Sequence, residues 1–411
     1  MKFMIAPDSY KESMTAASAA KAIERGIKNI MPEAQCEILP MADGGEGTAE
    51  SLMYGKDAEI LPCDVTGPLG GRIQAHLIWF RQTASVLIEV SMACGLMLIP
   101  PEKRDPKVAT SYGVGEMICK ALELRPGEIM ISLGGTGTSD GGAGMLTALG
   151  ASILDDKGLP VGSGASALAC VASVDLSEPV RRLKNVKITV LYDVKNPLLG
   201  KEGATYVFAP QKGAGSSELP ALENAMGHYA AAVEQACHRE LSNLEGAGAA
   251  GGIGFALLAV SQANFVSGSE FVMDVLALEQ KIQDCDYVIT GEGSIDSQSL
   301  SGKVPIGIAR LAKRYRKPVL VFAGRIGKNT GRLYEYGITA IFCILNELDS
   351  LGTVLAHGEY NLQTAVENVM RLLRSVGEQQ RAFPGKEGAL KERSGITPAP
   401  TDTGTGEKRG D

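Results

Sequence analysis

Aromatic side chains are scarce in this chain, at 5% of 411 residues with a single Trp. Cysteines are few and scattered: of the 8, the nearest pair is Cys94 and Cys119. That dispersal excludes CxxC zinc knuckles, redox pairs and small disulfide frameworks. There is no basic surplus either. Lys and Arg total 40 against 47 Asp and Glu, a net charge of -7, which argues against nucleic acid or an anionic membrane as partner. The four histidines (76, 228, 238 and 357) show no HExxH-like ligand spacing. The N-terminal apolar run, Phe3 to Ala6, stops at Pro7 and Asp8 and is too short for a signal-peptide core. With no export signal and dispersed thiols, the expectation is a cytoplasmic protein. The longest uncharged stretch, 246–269, carries Gly246, Gly248, Gly251, Gly252 and Gly254, then Ser261, Gln262 and Asn264, so no membrane span is expected.

What the chain does have is glycine: 50 residues, well above the usual ~7%. No period of three marks collagen, and 45% hydrophobic residues are enough for a full core. The length predicts two or three domains. A glycine-rich, acidic, aromatic-poor chain of this size suggests an α/β enzyme with loops built from backbone.

Short apolar runs at 2–6, 36–40, 287–291, 318–324 and 340–344 read as buried strands. Helical spacing separates them: Ala20, Ile23, Ile27 and Ile30 after Thr15, and a segment from Lys303 to Tyr315 with Pro305 in its first turn. Leu362, Val366, Val369 and Leu373 mark a last helix. This pattern predicts a doubly wound parallel sheet built from both chain ends, 1–64 and 281–376. The segment 65–280 reads as an inserted mixed α/β domain, entered through the breaker-rich CDVTGPLGG. Alternation over Ile73–Trp79 and Val86–Val90 predicts an antiparallel hairpin with one covered face. Residues 377–411 lack apolar periodicity and read as a flexible tail.

Three glycine clusters stand out: MADGGEGT (41–48), LGGTGTSDGGAG (133–144) and GAGAAGGIG (246–254). Runs of small residues let backbone N–H groups approach an anion closely, and equally let two loops pack. None matches GxxxxGK[ST]; the GxGxxG at Gly246, Gly248 and Gly251 follows no convincing strand. The polar residues at strand ends carry more, because ligands of a parallel sheet sit beyond the strands' carboxyl ends. Asp8, Ser9 and Lys11 follow the first strand; Asp43, Gly44, Gly45 and Glu46 follow the second; Glu292 and Asp296 follow 287–291. In the insertion the candidates are Gly134, Gly135, Thr136 and Asp140, then Asp193 and Asn196, then Gln211 and Lys212. Several carboxylates and lysines meeting at glycine-rich backbone suit a magnesium nucleotide and an acidic substrate. On this reading Asp43, Asp193 and Glu292 are base or metal carboxylates, with Asp43 and Asp193 as Mg2+ ligands. Lys11, Lys212 and Lys303 are the phosphate or carboxylate partners. Glu89, a charge within the strand-like VLIEVS, is either a second-site carboxylate or an edge-strand residue.

The blocks IAPDSYKES, ADGGEGT, GGTGTSDGGAGMLTALG, DVKNPLLG, FAPQKGA, GAGAAGGIG and ITGEGSIDSQSLSGKVPIGIA together resemble the bacterial type-1 glycerate kinases, from Met1 to about Ser375. The resemblance implies transfer of the ATP γ-phosphate to a hydroxyl of D-glycerate with Mg2+, giving 2-phosphoglycerate, in sugar-acid catabolism. It also implies a discontinuous flavodoxin-like domain with an inserted α/β domain. A monomer or homodimer is expected. Gly137 and Ser139 stand where many members carry Ala and Asn. Two other classes remain at this stage. One is an NAD(P)-dependent hydroxy-acid reductase using GAGAAGGIG; the other is a non-catalytic ligand-binding regulator on the same scaffold.

Overall fold

The structure, a computed structural model, describes residues 1–54, 57–296, 299 and 303–382. The chain opens with β1 (Lys2–Ile5), the helix Ala16–Ile30 and β2 (Gln35–Ile38). Thr15 caps that helix by accepting the Ser18 N–H at 3.2 Å. Next come β3 (Glu59–Thr66), β4 (Arg72–Phe80), β5 (Ser85–Glu89), β6 (Glu128–Ser132), the short pair β7 (Ser152–Leu154) and β8 (Ser173–Asp175), and β9 (Lys187–Tyr192). The remaining strands are β10 (Asn264–Ser267), β11 (Tyr287–Ile295), β12 (Val319–Ile326) and β13 (Ile338–Cys343).

Five strands in the order β13-β12-β11-β1-β2 form one wholly parallel sheet from the two chain ends. Counted within that sheet the order is 2-1-3-4-5, the flavodoxin-like arrangement, with its topological switch between β1 and β11. The insertion builds a mixed six-stranded sheet, β10-β9-β6-β5-β4-β3, antiparallel only at β3–β4 and β4–β5. The α/β architecture expected from the apolar runs is therefore present in both halves.

Three apolar layers hold these sheets. One outer layer packs the helices Ala16–Ile30 and Gly358–Ala382 over Ile5, Ile289, Leu320 and Phe322. Gly26 lies at the crossing of the two helices, where a Cβ would come within 2.8 Å of the Gln363 carbonyl. The other outer layer covers the inserted sheet around Val86, Ile88, Ile131 and Val190. The middle layer belongs to both sheets: Ile78, Phe80, Leu87, Met130 and Leu191 pack in one cluster with Met4, Val288, Val321 and Ala323.

That shared layer corrects the hairpin expectation. β5 is buried along its whole length and lies inside the sheet, so both of its faces are covered. Alternation along one strand gives no sign of a third layer behind it. The expected entry at residue 65 also shifts, because β3 is already the edge strand of the inserted sheet from Glu59. CDVTGPLGG is the end of β3 plus a hairpin turn closed by Gly67 N–H to Gly71 O at 2.7 Å. Breaker residues mark a hairpin as readily as a domain linker. At the other boundary, Val272, Met273, Leu278 and Ile282, expected within the insertion, pack into the middle layer. The last helix runs to Ala382, past the tail boundary expected at 377, and the later tail lies outside the described residues. No helix among the described residues is long and apolar enough to cross a membrane.

Candidate active site

The carboxyl ends of both sheets meet at one loop. Residues 42–47, following β2, are wedged between the loops that follow β6 and β10. A Cβ on Gly134 would lie 2.5 Å from Gly45 Cα, and one on Gly268 would collide with Gly44 Cα and the Asp43 carbonyl. Ser132 Oγ donates to Gly44 O at 2.8 Å and Gly45 O at 3.0 Å. Gly44 itself has φ +87°, a backbone conformation that L side chains rarely adopt. The glycines of ADGGEGT are thus explained by backbone approaching backbone between the two halves.

This wedge gathers carboxylates from four strand ends. Asp43 Oδ1 accepts the Gly45 N–H at 2.9 Å. Asp193 follows β9, and its Oδ1 accepts Ser267 Oγ at 3.2 Å and the Gly268 N–H at 3.1 Å. Its Oδ2 is buried and has no hydrogen-bond partner among the described residues, while the Ser269 N–H also favours the charged carboxylate. Burial, then the neighbouring Asp43 charge, push the Asp193 carboxyl up to about 8. Asp8 follows β1 and accepts the Ser9 N–H at 2.6 Å. Burial, Asp43 and Glu292 push it up to about 8, against the opposing Ser9 N–H and Lys11. Glu292, on β11, is raised by burial and held down in part by Lys303, whose Nζ lies 2.7 Å from Oε2; Ser299 Oγ lies 3.1 Å from Oε1. Asp8 and Glu292 therefore flank the switch between β1 and β11, where ligands of this sheet type bind.

These shifts carry a sign for stability. A carboxyl whose folded value is raised holds its proton in the native state after the unfolded chain has lost it. Its contribution is complete below about pH 4 and is lost as the pH climbs to about 8. In chelator, the melting temperature of Asp193→Asn minus that of the unsubstituted chain should rise steadily from pH 5 to pH 8.5. A flat difference would show that Asp193 is not raised.

The insertion's other candidates have internal partners. Asp140 is buried; its Oδ2 accepts Ser111 N–H at 2.8 Å, Ser111 Oγ at 2.9 Å and Gly144 N–H at 3.3 Å, and its Oδ1 accepts Gly142 N–H at 3.1 Å. Lys212 is buried as well, donating to Thr138 O at 2.6 Å and Thr136 Oγ1 at 3.3 Å. Burial pushes its ammonium down to about 8, against Cys94 and Asp140. Both residues brace the loop 134–142 from within. Gly135, with φ +65°, accepts Leu96 N–H at 2.7 Å, which ties the loop to the segment after β5. Asn196 donates to Glu202 O at 2.7 Å within its own loop, and Gln211 is exposed on the short helix Pro210–Lys212. Glu46 and Lys11 are exposed at the rim. Asp296 packs under Gly327, where a Cβ would lie 2.6 Å from its own Cβ.

Glu89 lies on an interior strand rather than an edge. Its Oε1 accepts Ala49 N–H at 3.0 Å, at the start of the helix Thr48–Met53. GAGAAGGIG is also resolved. No strand precedes it; a Cβ on Gly252 would lie 2.6 Å from Gly141 Cα, and one on Gly251 would meet the Thr138 carbonyl. These glycines admit a crossing of loops, and a dinucleotide turn needs a strand before it. The partners of Asp193, Ser267 and Gly268, escaped sequence reasoning because β10 is only four residues long. Their one signal was the small-residue run VSGS after Asn264-Phe265. Tyr10 was missed too: buried beside Asp8 and Glu292, its hydroxyl donates to Phe322 O at 2.7 Å.

A sequence profile described as the Glycerate kinase family matches residues 3–374. The chain belongs to the glycerate kinase family. A glycerate kinase of Haemophilus influenzae is 44% identical over 373 residues, spanning 91% of this chain and 99% of the relative. A glycerate 2-kinase of Escherichia coli is likewise 44% identical, over 91% of this chain and 98% of the relative. A crystal structure from Salmonella typhimurium LT2 superposes with a TM-score of 0.77 at 44% identity, covering 92% of this chain and 99% of that one. The matched span thus covers the inserted domain, the wedge loop and the positions of all four carboxylates. A broad surface groove beside the amino end of β9, lined by Val180, Leu183, Lys187 and Arg239, shares no residue with this strand-end site.

Proposed function

We propose that this glycerate kinase family member transfers the γ-phosphoryl group of ATP to the C2 hydroxyl of D-glycerate, giving 2-phospho-D-glycerate and ADP in the cytoplasm. The observation that carries the reading is the convergence of Asp8, Asp43, Asp193 and Glu292 from both sheets onto one glycine wedge, within a chain that matches the family over residues 3–374. The relative named a glycerate 2-kinase supports the choice of the C2 hydroxyl.

The acids divide by their partners. Asp193 Oδ2 is buried without a hydrogen-bond partner among the described residues, and its carboxyl is raised toward neutrality, which suits it to take the hydroxyl proton as oxygen attacks phosphorus. Lys303, bound to Glu292 at the start of the helix Val304–Arg314, is placed to balance phosphate charge. Among the described residues, no three His, Cys, Asp or Glu side chains form a ready metal cage. The donor set nevertheless fits hydrated magnesium, which commonly takes one or two carboxylates and completes its shell with water and substrate phosphate. The mutual repulsion of Asp8, Asp43 and Asp193 is what a cation would relieve. Asp43, between the other two acids, would hold the ion with Asp8 or Asp193 beside it. When bound, the ion supplies positive charge to the phosphate oxygens.

Incubation with ATP, magnesium and D-glycerate should release ADP only when glycerate is present. Phosphorus NMR should then show a product signal coupled to the C2 proton. Equal ADP release without glycerate would reject kinase action on this acid, and coupling to the C3 protons would reject the regiochemistry. Oxidation of NAD(P)H by hydroxypyruvate would favour the reductase reading.

A further inference from the structure

The sheet register carries an arginine, Arg325, to the strand ends where Glu292 and Lys303 meet. β11 and β12 run parallel to their carboxyl ends, pairing Glu292 with Ala323 and Ser294 with Arg325. Side chains alternate along β12: Val319, Val321 and Ala323 face the middle apolar layer, whereas Leu320 and Phe322 face the outer one. Arg325, two positions beyond Ala323, continues the middle-layer face. There it adjoins Ser294 and lies diagonal to Glu292. The Ser294 carbonyl accepts Lys303 Nζ at 3.1 Å, so Lys303 and Arg325 flank one residue at the mouth of the site.

Three observations separate Arg325 from an ordinary surface charge. It follows a strand that is buried from Val319 to Ala323 and emerges only at its end, so its Cα is held by the sheet ladder. It makes no hydrogen bond or ion pair with any described residue, leaving its whole guanidinium fork uncommitted. Glu292 and Asp296 stand two positions to either side of Ser294, and Glu292 is already paired with Lys303 at 2.7 Å. A guanidinium on a rigid strand, free of partners and beside a carboxylate–lysine pair, presents the planar donor set that matches an oxyanion bidentately.

We propose that Arg325 is an oxyanion-binding residue of the active site, contacting either a phosphate group of the nucleotide or the carboxylate of the acid substrate. The inference rests on the kinase reading and names a further residue for it. The two sources are told apart by which constant moves. Arg325→Gln and Arg325→Lys are measured for kcat, for KM of ATP and of D-glycerate, for melting temperature, and for binding of Mg-ADP by calorimetry.

The Gln variant is expected to keep its melting temperature and to lose roughly tenfold or more in one kcat/KM, the size of a lost charged hydrogen bond. A raised KM for ATP with weaker Mg-ADP binding places the fork on a ground-state phosphate. A raised KM for glycerate alone places it on the carboxylate. A fall in kcat with both KM values unchanged places it on the phosphoryl group in transfer. The Lys variant should recover part of the loss, since charge returns without the fork. Constants and Mg-ADP affinity all within twofold of the unsubstituted chain would overturn the proposal. If the unsubstituted chain releases no glycerate-dependent ADP, the kinase reading fails on its own, and the calorimetric comparison still decides whether Arg325 binds an anion.

Discussion

Asp193→Asn is expected to lower turnover by roughly 10² or more, the usual size of a general-base contribution. Asn keeps the shape of the side chain and can still accept the Ser267 and Gly268 bonds to Oδ1. What it lacks is a basic oxygen at the buried Oδ2 position, which has no hydrogen-bond partner among the described residues. KM for glycerate should move much less, because the lost interaction belongs to the transition state. The pH profile provides a second readout: the limb that follows an acid raised to about 8 should vanish in the variant. Asp43→Asn should fall by a similar factor while also raising the magnesium concentration needed for half-maximal rate. If both aspartates only shape turns, Asn would replace them almost silently. Near-normal turnover in both variants would therefore remove the cleft assignment and leave the family relation untouched.

Gly268→Ala should be nearly as damaging, for a purely steric reason. The added methyl would meet Gly44 Cα, Gly44 N and the Asp43 carbonyl, all backbone atoms of the wedge loop. Backbone cannot rotate away as a flexible side chain can, so the two halves must part at the point where Asp43 and Asp193 meet. Overpacking of this kind commonly costs about 1–3 kcal/mol, and a displacement near 1 Å at reacting groups can cost about 10² in rate. Gly331→Ala is the matched control, since a Cβ there meets nothing within 4 Å and the position carries no positive φ. A Gly268→Ala variant as active and stable as this control would show that the wedge is not needed to align the acids.

Most elements of the fold were legible in the chain itself. Short apolar runs punctuated by helical spacing marked all five strands of the end-built sheet: the interior strands β1, β11 and β12 have to be apolar on both faces, whereas the edge strands β2 and β13 are largely half-buried. The strand-end rule then selected Asp8, Asp43, Asp193 and Glu292 without any knowledge of how the two halves meet, since the end of a strand and the polar residue after it are local facts. Tertiary structure decided which candidates share one site. Asp140 and Lys212 have the same residue types and glycine-rich setting as the others, yet Asp140 accepts four hydrogen bonds and Lys212 donates two inside the insertion. Asp43 and Asp193 stand 150 positions apart in the numbering and become neighbours only because Gly44 and Gly268 let two backbones touch. The middle apolar layer, the inclusion of β3 in the inserted sheet and the register that brings Arg325 beside Ser294 are long-range pairings of the same kind. Periodicity records which face of an element is apolar; it holds no record of what covers that face, and at this site the covering element supplies half of the chemistry.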